Sequence, residues 1–129
     1  EVAMKIAATL LPWNVGTITM WAALTALEDQ KGLAQRVKFN NDQAAFIEKE
    51  MGKIPGMVVF PTRANYVLFD AGPTGKKSED VLAYAQKKGI ILRGEKAKHG
   101  SDGWFRVTIG TKEENKLFIK VMKEFFSKK

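Results

Sequence analysis

The chain has 129 residues, 45% apolar and 27% charged, which suits one globular domain with a proper core and is short for a two-domain enzyme. It has no cysteine and a single histidine, His99, so disulfides, thiolate metal sites and histidine-rich zinc sites are excluded, and a Ser-His triad would need His99 as its base. The net charge of +7 favours anionic partners, but the lysines are scattered along the chain, which argues against nucleic acid.

Residues 1 to 11 are a mostly apolar lead-in ending at Pro12, which discourages helix at Leu11. With no basic-then-apolar leader and Glu1 as its first residue, the chain is expected to be a piece of something longer. No apolar run is long enough to span a bilayer; the stretch from Ile18 to Leu27 is too short. From about Thr17, the residues Ile18, Met20, Trp21, Leu24 and Leu27 recur at helical spacing up to Asp29 and Gly32. A second helix is expected from Leu33 to Met51, with Val37, Ala44, Ile47 and Met51 on one stripe and Gly52 and Pro55 as its stop.

Met57 to Phe60 and Asn65 to Asp70 read as strands. After the loop Ala71-Gly-Pro-Thr-Gly75, Ser78 is expected to cap a helix carrying Glu79 and Asp80 in its first turn, with Gly89 as the left-handed stop after Lys88. Ile90 to Arg93 and Trp104 to Ile109 read as the last two strands. Thr111 and Glu114 form a capping box, and Leu117, Phe118, Val121, Met122 and Phe125 give the final helix its buried face. The order α-α-β-β-α-β-β-α predicts an α+β fold, a small, mainly antiparallel sheet of about four strands with helices packed on one face.

Alternation along the last strand sends Phe105, Val107 and Ile109 toward the helices and Trp104, Arg106 and Thr108 the other way. Arg93 and Arg106, thirteen positions apart on neighbouring strands, are then candidates for one uncovered, cationic face. Arginine stays charged at any working pH, so its place in a strand asks for a partner. Two planar forks can each grip a carboxylate or phosphate bidentately, whereas a single arginine reads equally well as a surface ion pair or an apolar stem.

Other features read more plainly. Gly72-Pro-Thr-Gly75-Lys-Lys-Ser78 has two residues between its glycines and an extra lysine, so it is a helix start and not a phosphate-binding P-loop. His99 reads as a solvated loop residue, Trp13 and Trp21 as core or interface, and the terminal Ser-Lys-Lys as a solvated tail.

Several segments together resemble the C-terminal small domain of fold-type I, pyridoxal-phosphate-dependent aminotransferases, above all the histidinol-phosphate aminotransferase group. They are Pro12-Trp-Asn-Val15, Phe60-Pro-Thr-Arg-Ala-Asn-Tyr-Val-Leu-Phe69, Gly89-Ile-Ile-Leu-Arg93 and Phe105-Arg-Val-Thr-Ile-Gly-Thr-Lys-Glu-Glu-Asn115, which span nearly the whole chain in the family's order. The resemblance implies that Arg106 holds the substrate α-carboxylate and Arg93 a distal phosphate or carboxylate, which would fix the substrate against the cofactor. It further implies residues 1–30 as lead-in and connecting helix from a missing large domain, and residues 31–129 as the small domain. A cytoplasmic, homodimeric full-length enzyme of amino-acid (histidine) biosynthesis is implied as well. Such an enzyme would act on an anionic amino donor and a 2-oxo acid, without nucleic acid or membrane. The family's Schiff-base lysine lies in a Ser-Lys segment of the large domain, and no lysine here has that context; Lys5, in Ala-Met-Lys-Ile-Ala, does not match. No catalytic, cofactor-binding or metal-ligating residue is therefore expected, and the fragment alone should neither hold pyridoxal phosphate tightly nor transaminate. Arg63 departs from the small residue usual in the family and adds a third cation. A decarboxylase of phosphothreonine type is the alternative within the family. Outside it stand an RNA-binding sheet using Tyr66, Trp104 and Phe105, without the usual Lys/Arg-Gly-Phe-Gly-Phe-Val pattern, and an amino-acid-binding regulatory module.

Overall fold

The computed structural model describes residues 2, 5, 9, 15–95 and 102–127. His99, Trp13, most of the lead-in and the two terminal lysines lie outside the described residues. The chain divides into two compact units, Glu1–Val37 and Lys38–Lys129.

In the first unit, α1 spans Thr17–Glu28 as its periodicity predicts, yet it buries none of its residues. Ile18 is 87% exposed and Trp21 68%, so of the two readings of Trp21, core or interface, the core one fails. Helix α2, Gln30–Met51, starts earlier than expected. Asp29 is the reason: its carbonyl accepts from Leu33 N and its Oδ1 from Gly32 N at 2.9 Å, so Gly32 sits inside the first turn instead of ending the preceding helix. Val37 is half-exposed, whereas Ala44, Ile47 and Met51 are buried as the stripe requires.

The second unit carries the sheet. Strands β1 (Val58–Phe60), β2 (Tyr66–Asp70), β3 (Arg93–Gly94) and β4 (Trp104–Thr108) lie in the order β1-β2-β4-β3, every pair antiparallel. Helices α3 (Ser78–Lys87) and α4 (Lys112–Ser127) complete it. Val67 pairs with Val107 and Phe69 with Phe105 on one face. There they meet Ile47 and Met51 from α2, Val81 and Ala85 from α3, and Phe118, Val121 and Met122 from α4. Phe69 stacks on Phe105 at 5.1 Å and leans on Phe118 at 6.1 Å. Each such side chain contributes about 1.5–3 kcal/mol by leaving water, which is what holds the helix layer on the sheet. This is the expected α+β fold, with four helices and a four-stranded antiparallel sheet among the described residues.

Three local expectations need correction. The third strand is only Arg93–Gly94, not Ile90 to Arg93. Gly89, at φ +79°, closes α3: its N–H bonds Gln86 O, and Ile90 N bonds Ala85 O. That closure uses the Ile90 amide before any ladder can. Ser78 is the first helical residue and is buried, with Lys77 at the cap position and no side-chain capping bond; Ser78 N donates instead to the Asp102 carbonyl at 2.5 Å. In α4, Leu117 is 47% exposed and Ile119 is buried in its place. The capping box is present: Thr111 N donates to Glu114 Oε2 at 2.7 Å, and Glu114 N to Thr111 Oγ1 at 3.3 Å.

Candidate functional site

The face of the sheet turned away from the helices takes Tyr66, Leu68 and Asp70 from β2 and Trp104, Arg106 and Thr108 from β4, paired in register. Phe60 lies across from Leu68 on β1, and Arg93 across from Arg106 on β3. A single row, Phe60–Leu68–Arg106–Arg93, thus crosses all four strands. The two arginines proposed from the sequence are direct cross-strand neighbours. Like charges in that relation repel, so something must offset them.

The offset comes from Glu95, which sequence reasoning missed. Glu95 N donates to Trp104 O at 3.0 Å, extending the ladder one residue beyond β3. Alternation then returns its side chain to the face of Arg93. Its carboxylate, 7% exposed, lies 3.1 Å from Arg106 Nε and 3.7 Å from Arg93 Nε. The signal was available as Arg93-Gly-Glu95, where period two puts the first and third residues together. Arg106 is held from a second side, because its guanidinium stacks over the Tyr66 ring, 4.7 Å from the centroid. Its side chain is 28% exposed, against 71% for Arg93. With the Nε edge beside Glu95 and one face on Tyr66, the Nη end is the part of the Arg106 fork suited to a planar anion.

Phe60 stacks on Trp104 at 4.8 Å with rings 22° apart, forming an aromatic floor beside Arg106. The register is fixed by a close approach at Gly103. Its carbonyl accepts from Ala71 N at 2.9 Å, and a Cβ there would fall on Gly72 N and on Asp70 Oδ1, which itself accepts from Gly72 N at 2.8 Å. At the other end of β4, the buried Asn115 Oδ1 accepts from Gly110 N and its Nδ2 donates to Gly110 O and Gln43 Oε1, all at 3.0 Å.

Arg63 is not brought into this group; it lines a separate cleft with Asn41, Glu48, Pro61 and Thr62. Phe105, offered as a base-stacking residue in the RNA reading, is wholly buried in the core. Among the described residues no helix is long and apolar enough to cross a membrane, and no three His, Cys, Asp or Glu side chains cluster to hold a metal. No lysine stands among the described positions of the open face.

The fold is an α+β domain whose sheet face turned away from the helices carries an arginine pair beside a buried glutamate. Comparison with known proteins then gives the family. The sequence profile of aminotransferase class I and II matches residues 1–122, and the chain belongs to that family. It is 36% identical over 125 residues to a histidinol-phosphate aminotransferase of Methanococcoides burtonii, covering 96% of this chain and 32% of that protein. A histidinol-phosphate aminotransferase of Akkermansia muciniphila is 32% identical, with 88% and 30% covered. The chain therefore spans about a third of the length of these curated relatives. Among solved structures, the histidinol-phosphate aminotransferase of Clostridium acetobutylicum superposes with a TM-score of 0.77 at 24% identity, over 98% of this chain and 38% of that one. The L-threonine-O-3-phosphate decarboxylase of Porphyromonas gingivalis gives 0.72 at 19% identity, over 97% and 38%. These likenesses show a shared fold.

Proposed function

We propose that this chain is the substrate-clamping part of a histidinol-phosphate aminotransferase-like enzyme. Arg106 takes the α-carboxylate of the amino donor, and Arg93 takes a distal phosphate or carboxylate. The observation that carries this reading is the Arg93–Arg106 cross-strand pair on the face turned away from the helices, with Arg106 seated between Tyr66 and Glu95. A bidentate grip on the carboxylate fixes the orientation of the bonds at Cα, which is how a non-reacting group speeds proton movement there.

In this reading the rest of a full-length, cytoplasmic, homodimeric enzyme contributes the cofactor site, and residues 1–30 belong with that larger part. Pyridoxal phosphate supplies the electron sink once bound there. Among the described residues, those of this face offer guanidinium forks and no amine to condense with its aldehyde, so they do not fit that group. No cofactor chemistry is assigned to this chain, and by itself it neither holds the cofactor tightly nor transaminates. A stoichiometric, lysine-dependent absorbance band on adding pyridoxal phosphate to the 129-residue chain would refute that part.

The test of function uses the complete protein. With an anionic amino donor and a 2-oxo acid, Arg106→Lys should lower kcat/KM by roughly tenfold to a hundredfold, because an ammonium cannot replace a bidentate fork. Unchanged kinetics would remove Arg106 from the substrate site. Release of carbon dioxide instead of a new 2-oxo acid would move the assignment to a decarboxylase.

A further inference from the structure

We infer that Glu95 is a specificity-determining residue. It sets the charge of the arginine pair so that one site accepts a monoanionic carboxylate and a dianionic phosphate with little bias between them. The inference rests on the proposed anion-binding role of Arg93 and Arg106.

The geometry gives Glu95 this role in preference to a general packing one. Its carboxylate lies beside the Nε edge of both guanidiniums, 3.1 Å from Arg106 and 3.7 Å from Arg93, and is 7% exposed. The backbone holds it there, through the Glu95 N to Trp104 O bond at 3.0 Å. A salt bridge from the mobile surface would come and go with the ligand, whereas this carboxylate stays when the Nη ends are occupied. Among the described residues, two arginines and one glutamate leave the cluster with a single net positive charge. The coulombic attraction of such a cluster grows with each charge on the ligand, and removing Glu95 would double the charge that sets the slope. A bare pair would therefore hold a dianion far more tightly than a monoanion. A transaminating site must bind an amino donor and a 2-oxo acid in turn, and a strong preference for the dianion would let one substrate exclude the other.

Sulfate and methanesulfonate separate charge from shape, since both present tetrahedral sulfonyl oxygens and neither titrates near neutral pH. Their affinities for the intact chain are measured by calorimetry or NMR at pH 7.5 and fixed ionic strength, in the wild type and in Glu95→Gln. The ratio of sulfate to methanesulfonate affinity should rise by roughly tenfold in Glu95→Gln, with sulfate gaining more than methanesulfonate, and should stay near wild type in Glu95→Asp. A merely structural role would move both affinities alike; an unchanged or reduced ratio in a folded variant overturns the inference. Should Glu95→Gln fail to fold, Glu95→Ala gives the same comparison in a smaller side chain. Independently of any variant, a wild-type preference for sulfate above about a hundredfold contradicts the inference, and one below it agrees. If the wild type binds neither ion saturably, the anion-binding reading itself fails, which is a different result from an unmoved ratio.

Discussion

On the covered face of β2 and β4, Val67, Phe69 and Phe105 have no exposed surface; one residue along each strand, Tyr66, Leu68, Trp104 and Arg106 keep part of theirs. The first set meets three helices, while members of the second meet one another: Phe60 on Trp104, Tyr66 under Arg106, Glu95 beside both arginines. The difference teaches that alternation alone separates a packed face of the sheet from a polar one, and the proposed function assigns binding to the second. Helix α1 shows the complementary case, an apolar pattern with no buried residue. Hydrophobic periodicity made a helix there, but periodicity does not by itself make a core.

If the separation is real, substitutions on the two faces should have opposite signatures. Phe69→Ala on the covered face should cost about 3–5 kcal/mol through the cavity it leaves between Phe105 and Phe118. Urea denaturation measures this, and a cost below about 1 kcal/mol would mean that the face is not tightly packed. Asn115→Ala strands the Gly110 backbone and the buried Gln43 amide, and should cost about 1–3 kcal/mol by the same measurement. Thr111→Ala removes the cap of α4 and should cost about 1 kcal/mol. On the open face, Arg93→Gln should change stability by no more than about 0.5 kcal/mol, since its side chain is exposed. Sulfate affinity in that variant should still drop about tenfold through loss of one fork. A stability loss as large as that of Phe69→Ala would abolish the distinction between the faces.

Acid acts on the contact of α2 with α4. Lys123 at 2.5 Å and Lys53 hold Glu50 ionised, lowering its carboxyl from 4.5 to about 2. Because the folded value lies below the ordinary one, this contribution is present above about 4.5 and is lost as pH falls toward 2. Glu114 is lowered in the same direction, first by the Thr111 backbone amide. Thermal melts of wild type and Glu50→Gln should therefore differ at neutral pH and converge near pH 2. A gap that persists at low pH would assign the difference to something other than this carboxylate.

Much of this molecule was legible in the sequence because its signals are short-ranged. The capping box at Thr111, the left-handed stop at Gly89 and the alternation from Trp104 to Thr108 each involve residues within a few positions, and each stands where expected. The Arg93–Arg106 pairing followed from two adjacent strands and one pattern. What was not legible depends on partners distant in the chain. Ser78 needed no side-chain cap because the Asp102 carbonyl arrives from another loop. Leu117 and Ile119 compete for the same helix face, and only the position of the sheet decides between them. Glu95 was passed over because an acidic residue after a short strand reads as loop until the ladder is seen to continue through its amide.

The central claim is that Arg93 and Arg106 together grip the anionic groups of one substrate; as cross-strand neighbours they should also share one small anion, and the arginine side chains can report on that directly. In a sulfate titration of the intact chain followed by the arginine Nε–H resonances, both should shift along one saturating curve, and Arg106→Gln should abolish the response at Arg93. Shifts that grow in proportion to sulfate without saturating, spread over the lysines while the two arginines stay still, would contradict it.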